Sequence, residues 1–231
     1  MNLETISSES LNKELAYLLG VYITDGSITT RIKPTKNCTF QLQVIDKDFA
    51  EKTLEFIKVI IPSCKGNVNK FIAEPSGFNK NKCIKYCVGV GFFKWKDFFL
   101  EQTGNKHHIP SLIWDASLII KKWFIAGVMD GDGYISIVEK NRVNPRITIG
   151  IGKGEDGWIW EFKQFMEKLN VKVNKPEIIP AGYRNHKKPF VRMKFNIRSF
   201  VSRGLFFTVE RKQKKIIRAI KLLKNIQERN Y

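Results

Sequence analysis

Two stretches of this chain match at a single offset. Residues 20–28 read GVYITDGSI and residues 127–135 read GVMDGDGYI. Gly20 and Gly127, Val21 and Val128, Asp25 and Asp132, Gly26 and Gly133, and Ile28 and Ile135 all pair across 132 − 25 = 107 positions. Each copy sets an acid between a helix-like run and a strand-like run. The tripeptide VNK recurs as well, at 68–70 and 173–175, an offset of 173 − 68 = 105. Such a pattern marks a duplication with small insertions. A period this long, in two copies, does not suit a solenoid; it suits one chain built from two related halves about a pseudo-twofold axis.

Hydrophobic periodicity gives both halves the same order of elements. Leu15, Leu18, Leu19, Tyr22 and Ile23 recur at helical spacing between about Leu11 and Thr24, with Ser10 at the N-cap position. Strands are expected at 27–33 and 39–45, an amphipathic helix at 47–61 stopped by Pro62, strands near 67–73 and 82–90, and a short aromatic helix at 92–100. The second half repeats the order: a helix at 118–131 behind Ser117, strands near 134–139 and 146–151, and a helix at 158–169. Strands near 171–179 and 190–197 and a helical C-terminus complete it. The expected class is α+β, two αββαββα units at 8–105 and 117–231 with a linker at 106–116, where Pro110 can begin a helix.

The helix before each acid carries small residues on one side, Ala16, Gly20 and Thr24 in the first and Gly127 and Gly131 in the second. Strips of this kind let two helix backbones approach closely. If the helices pack in parallel through them, Asp25 and Asp132 become neighbours at two partially negative helix ends, an arrangement that calls for a cation. Carboxylates with main-chain carbonyls make a hard oxygen site, suited to Mg²⁺ with retained waters and a phosphate. One Asp-Gly pair alone reads as a helix cap and turn. Two at matched positions in a duplication read as halves of one metal site.

Charge points to the partner. The chain sets 40 Lys and Arg against 22 Asp and Glu, a formal net charge of +18 and a pI near 9.8, which suits a polyanion. The charges are spread through the chain, no lipidation signal is present, and no apolar run approaches the ~18 residues a membrane span needs. Nucleic acid is the expected partner, with no membrane. The first residues, MNLETISSES, lack the basic start and apolar core of a secretion signal, so an intracellular setting is expected. Cys38, Cys64, Cys83 and Cys87 show neither a disulfide framework nor paired zinc spacing, and His107, His108 and His186 are too scattered for a metal box. The run GIGKGEDG at 150–157 lacks the Ser or Thr that a phosphate loop needs after its lysine, and reads as a strand-to-helix turn. The aromatic clusters around 92–99 and 158–165 have core spacing.

The stretches LLGVYITDG (18–26) and IAGVMDGDG (125–133) resemble the LAGLIDADG motif, and nearly the whole chain resembles a monomeric, two-motif LAGLIDADG homing endonuclease. The first copy departs from the pattern, with Ile23 and Thr24 where Asp-Ala is typical. The resemblance implies motif helices at the interface of the two units and a four-stranded antiparallel sheet from each unit in the DNA major groove. It implies metal binding by the eighth motif residue, here Asp25 and Asp132, with the carbonyls of Thr24 and Gly131 near the ions. It also implies a catalytic lysine in one or both halves, for which Lys212 and Lys106 stand at matching places, 212 − 106 = 106 apart. A basic helix gripping phosphate accounts for Lys212 equally well. Where the family carries a polar residue at the end of the second strand, this chain has Asp46 and, in the second half, Gly154, with Lys153 as a substitute.

Strand alternation sorts a reading surface. If Ile28, Leu42, Val44, Ile135, Ile147, Ile149, Met193, Phe195 and Ile197 face the helices, their alternates face outward. These are Ser27, Thr29, Arg31, Lys33, Gln41 and Gln43, joined by Lys85, in the first half. The second half supplies Tyr134, Ser136, Lys140, Arg142, Arg146, Thr148, Arg192, Lys194 and Asn196. Arg and Lys suit guanine, Gln and Asn suit adenine, and two such sheets cover about 20 bp of double-stranded DNA. The expected activity is Mg²⁺-dependent hydrolysis of both strands of an asymmetric target, with Ca²⁺ supporting binding but not efficient cleavage. An intron-splicing maturase binding RNA and a non-cleaving DNA-binding regulator are the alternatives; an intein is not expected. Lys-, Asn-, Ile- and Phe-rich usage points toward an AT-rich genome such as an organelle's.

Overall fold

A computed structural model of the chain describes residues 11–31, 37–75, 81–91, 95–139, 145–154, 157–182 and 188–228. Compactness divides it into two units, 1–131 and 132–231. Among the described residues the strands form two four-stranded antiparallel sheets, one per unit, so the α+β class and the duplicated strand pattern are as expected. No described helix is long and apolar enough to cross a membrane.

In the first unit the chain runs α1 (Lys13–Ile23), β1 (Ser27–Arg31), β2 (Asn37–Val44), α2 (Lys47–Ile60), β3 (Val68–Ala73), β4 (Cys83–Gly91), α3 (Lys96–Gln102), α4 (Ser111–Trp114) and α5 (Leu118–Gly131). The sheet order is β1-β2-β4-β3. Ser10 lies outside the described residues; the side chain of Asn12 caps α1 by accepting from the Leu15 N–H at 2.8 Å. Every residue of α1 from Leu15 to Ile23 is buried, as an all-round apolar helix requires. Against it lies α5, buried from Phe124 to Asp130.

Contact between α1 and α5 depends on glycine. A Cβ on Gly20 would stand 2.3 Å from the Phe124 carbonyl oxygen, and one on Gly127 2.2 Å from that of Tyr17. Gly127 lies against Tyr17–Val21 and Gly131 against Thr24, so the two helices run in the same direction. The Tyr17 hydroxyl donates to the buried Asp130 carboxylate across the pair at 2.9 Å. Tyr17, Phe56 of α2 and Trp123 of α5 pack edge to face with centroids 5.1 to 6.3 Å apart. Gly127→Ala is expected to lower the stability by about 1 to 3 kcal/mol in urea unfolding, because the helices have to separate. Gly89→Ala, where a Cβ meets nothing within 4 Å, should change it little.

The second unit runs β5 (Gly133–Val138), β6 (Arg146–Gly154), α6 (Ile159–Lys168), β7 (Glu177–Ile179), β8 (Phe190–Phe195), α7 (Ile197–Ser202) and α8 (Glu210–Glu228), with sheet order β5-β6-β8-β7. Trp158, Phe162, Phe195, Phe200 and Phe207 form a chain of ring contacts beneath the sheet, with centroids 5.5 to 6.3 Å apart. The aromatic cluster at 158–165 is therefore core, except for Trp160, which is exposed.

Three expected boundaries are corrected. The strand expected to end at Ile151 continues to Gly154, so most of GIGKGEDG is strand rather than turn. Ile149, Ile151 and Lys153 keep the period of two, and Gly150, Gly152 and Gly154 place no side chain on the opposite face. The strand expected at 171–179 shrinks to Glu177–Ile179 plus an isolated bridge between Val173 and Phe195, because Pro176 has no N–H for the ladder. The strand expected at 190–197 ends at Phe195; Asn196 instead caps α7, its side chain accepting from the Ser199 N–H at 3.0 Å.

Candidate active site and nucleic-acid interface

At the end of α1 the backbone turns so that the Gly26 N–H closes on the Val21 carbonyl at 2.8 Å, with exposed Asp25 in the turn between. Thr24 is buried, and its hydroxyl bonds back to the Gly20 and Val21 carbonyls at 3.1 and 3.0 Å. A Cβ on Gly131 would meet the Thr24 Oγ1 at 2.2 Å and the Asp25 Oδ2 at 3.4 Å. Glycine at the end of α5 thus leaves room for the Asp25 carboxylate, and the next residue in the chain is Asp132.

Lys106 reaches this turn from the loop after α3. Its Nζ donates to the carbonyls on either side of Asp25, that of Thr24 at 3.4 Å and that of Gly26, and lies 5.1 Å from the centre of the Tyr22 ring. The approach is set by three successive residues with positive φ, Gly104, Asn105 and Lys106. The buried Thr103 hydroxyl fixes the loop, donating to the Phe99 carbonyl at 2.7 Å and accepting from the Lys106 N–H at 3.2 Å. Holding non-glycine residues in the left-handed region costs energy, and here the conformation carries an ammonium to the motif turn. Burial raises the Tyr22 phenol above its ordinary value, and the Cys38 thiol adds to the effect.

In the second unit Asp132 immediately precedes β5 and pairs with Lys153 at 2.8 Å. Lys153 lies on the core-facing side of β6, but near the strand's end its side chain passes along Trp158, 5.7 Å from the ring centre, to reach the acid. It is expected from the sequence only as a substitute for the polar residue at the end of the second strand, not as a partner of Asp132. Spacing contains the signal: 153 − 132 = 21 equals 46 − 25 = 21, so Lys153 rather than Gly154 is the counterpart of Asp46. Gly154 itself is exposed, and Asp46 sits at the N-cap of α2. Lys212 is in the first turn of α8, buried, with its Nζ 5.6 Å from the Phe207 ring centre. The neighbouring Gln213 side chain accepts from the Phe207 N–H at 3.0 Å. Farther along α8, Lys215 reaches the Ile135 carbonyl at 3.5 Å and Arg218 pairs with Glu139 at 2.8 Å.

Strand register sorts the sheet faces. In the first unit Ile28, Phe40 and Val90 align on the core side, as do Leu42 and Val88. Ser27 with Gln41, Thr29 with Thr39, Gln43 with Cys87 and Asn69, and Lys85 with Phe71 take the other face. Arg31 closes β1 opposite Asn37. In the second unit Ile135, Ile149 and Phe195 align inward, whereas Tyr134 with Gly150 and Lys194, Ser136 with Thr148, and Gly152 with Arg192 and Glu177 align outward. Arg146 ends that face opposite Val138. Lys33, Lys140 and Arg142 lie outside the described residues. An open pocket of about 520 Å³ lined by Asp132, Tyr134, Gly152, Lys153, Gly154, Phe190 and Arg192 joins the motif acid to this face. Burial raises the Tyr134 phenol above its ordinary value, although Arg192 opposes the shift, so the phenol keeps its proton.

Each motif turn carries oxygen donors that could hold a hard divalent cation. The motif turn of the first unit offers the Asp25 carboxylate, for which Gly131 leaves space, and the Thr24 carbonyl; the second unit, by itself, offers the Asp132 carboxylate. Among the described residues no three His, Cys, Asp or Glu side chains gather into a metal-holding group. Oxygen donors of this kind suit a hard cation rather than zinc, which favours His and Cys.

No family model and no curated protein sequence matches the chain. Solved structures do match. The homing endonuclease I-WcaI, bound to its DNA recognition sequence, superposes with a TM-score of 0.56 at 13% identity, over 89% of this chain and 87% of that one. A variant of I-DmoI in complex with its target DNA in the presence of Mg gives 0.53 at 15% identity, over 84% and 96%. I-DmoI in complex with DNA and Mn gives 0.50 at 14%, over 82% and 93%. The fold is the two-sheet fold of the LAGLIDADG homing endonucleases.

Proposed function

We propose that the protein is a site-specific endonuclease that hydrolyses both strands of a long, asymmetric DNA target with the help of divalent cations, Mg²⁺ in the first place. The observation that carries this is a lysine brought to each motif turn. Lys106 is bonded to the carbonyls flanking Asp25, and Lys153 is bonded to Asp132. A helix cap and turn requires no such lysine in either copy. The net charge of +18 suits a polyanion, and the polar outward face of each sheet suits the groove of a DNA duplex.

Asp25 and Asp132 would hold the cations, with the Thr24 and Gly131 carbonyls nearby. Such a cation supplies Lewis acidity at the phosphate and makes water a stronger nucleophile near neutral pH. Lys106 and Lys153 bring ammonium groups to the two motif turns, where they can hydrogen-bond a phosphate oxygen as negative charge grows on it. Water adds to phosphorus, the bond to the leaving oxygen breaks, and the products are a phosphate end and a hydroxyl end. The outward residues differ between the sheets, Gln41 and Gln43 in one and Arg192 and Lys194 in the other. Each sheet then reads a different half of a target of about 20 bp.

Incubation with a randomised duplex library and Mg²⁺, followed by sequencing of cut ends, tests the proposal. The expected result is a single long consensus around paired breaks. With Ca²⁺ in place of Mg²⁺ the same consensus should be bound and left intact. A library that stays uncut and unenriched overturns the assignment.

A further inference from the structure

On the outward face of the second sheet, Glu177 of edge strand β7 stands opposite Arg192 of β8. Its Oε2 lies 3.6 Å from Arg192 Nη1, and its Oε1 accepts from Lys194 Nζ. Arg192 and Lys194 are two residues apart, so both point outward and one carboxylate ties both. The hydrogen bond from Lys194 holds the Glu177 carboxyl below its ordinary value, and the charges of Lys194, Arg192 and Arg146 act in the same sense. Gly152 is the β6 partner of Arg192 and Gly150 that of Lys194. No β6 side chain therefore stands beside either cation on that face.

By charge alone, an acid here opposes a polyanion. Its use lies in geometry. An untethered Arg or Lys on an open sheet can swing to the nearest phosphate, which carries no sequence information. Tied through one side to a carboxylate, each keeps further N–H donors free, and guanine presents O6 and N7 as paired acceptors in the major groove. Resting on the DNA-cleavage function above, we propose that Glu177 is a specificity-determining residue, holding Arg192 and Lys194 in place to read guanine.

Binding selection from a randomised duplex library in Ca²⁺, with sequencing of the bound DNA, tests this for wild type, Glu177→Gln, Glu177→Ala and Arg192→Ala. Both Glu177 variants should lose about fivefold or more of the guanine preference at one or two positions, with every other position unchanged. Arg192→Ala should lose preference at one of the same positions. Unchanged base preferences with uniformly tighter binding to all sequences would mean that Glu177 only repels phosphate, and overturn the proposal. Wild type showing no preference anywhere is a different result, which removes the endonuclease assignment itself and this inference with it. Glu177 is on an exposed edge strand, and matching thermal unfolding of the variants and wild type shows that any loss is not misfolding.

Discussion

Asp25→Asn and Asp132→Asn are each expected to abolish double-strand cleavage in Mg²⁺ while leaving affinity for the target within about tenfold of wild type. The substitution keeps the size of the side chain and removes its charge. Asp25 lies in a turn shaped by Gly26 and Gly131, and Asp132 lies beside Lys153, so neither is positioned mainly to contact a groove. On the proposed function, losing the carboxylate would remove a ligand for a hard cation and leave the sheet faces intact. Removing a negative charge near DNA should favour binding slightly, which makes lost cutting with retained binding hard to ascribe to weakened association. Single-turnover cleavage of a supercoiled plasmid bearing the target, with nicked and linear products scored separately, is the measurement. Full linearisation by either variant would remove that acid from the active site.

The helix pair was legible because close approach leaves a mark in sequence: Gly20 and Gly127 recur at one offset, and in each a Cβ would collide with a carbonyl of the facing helix. Strand parity was legible for a similar reason, since a half-buried strand has to alternate, and Leu42, Ile149 and Met193 lie inward as alternation requires. Lys153 was harder to see. Its parity puts it on the core side, where a lysine is unexpected, and it becomes a partner of Asp132 because the strand ends there and its stem can run along Trp158. Glycines obscured β6, because alternate Gly150, Gly152 and Gly154 look like a turn in sequence and act as an open face in the sheet. Glu177 carried no signal of its own, because an ion pair across two strands depends on which strands adjoin and in what register.

The lysines offer the second large effect, and the two lysines of the second unit are separable. Lys106→Met and Lys153→Met should each slow the single-turnover cleavage rate by about 10²-fold, with a much smaller change in affinity, because a cation beside developing negative charge acts mainly in the transition state. Lys212 makes a sharper case. Its ammonium is buried against Phe207, a placement rare for lysine because desolvating the charge is costly. Methionine preserves the volume of the stem without the charge, so Lys212→Met should lower the cleavage rate about 10²-fold with a much smaller change in affinity. A phosphate grip gives a different set of results: weaker binding, a shallower dependence of affinity on salt, and a normal rate once enzyme saturates the DNA. Following each labelled strand at saturating enzyme distinguishes these. Slower cleavage of one strand in Lys106→Met and of the other in Lys153→Met would assign each lysine to its own phosphate, and an unchanged rate in Lys212→Met would leave Lys153 as the catalytic lysine of the second unit.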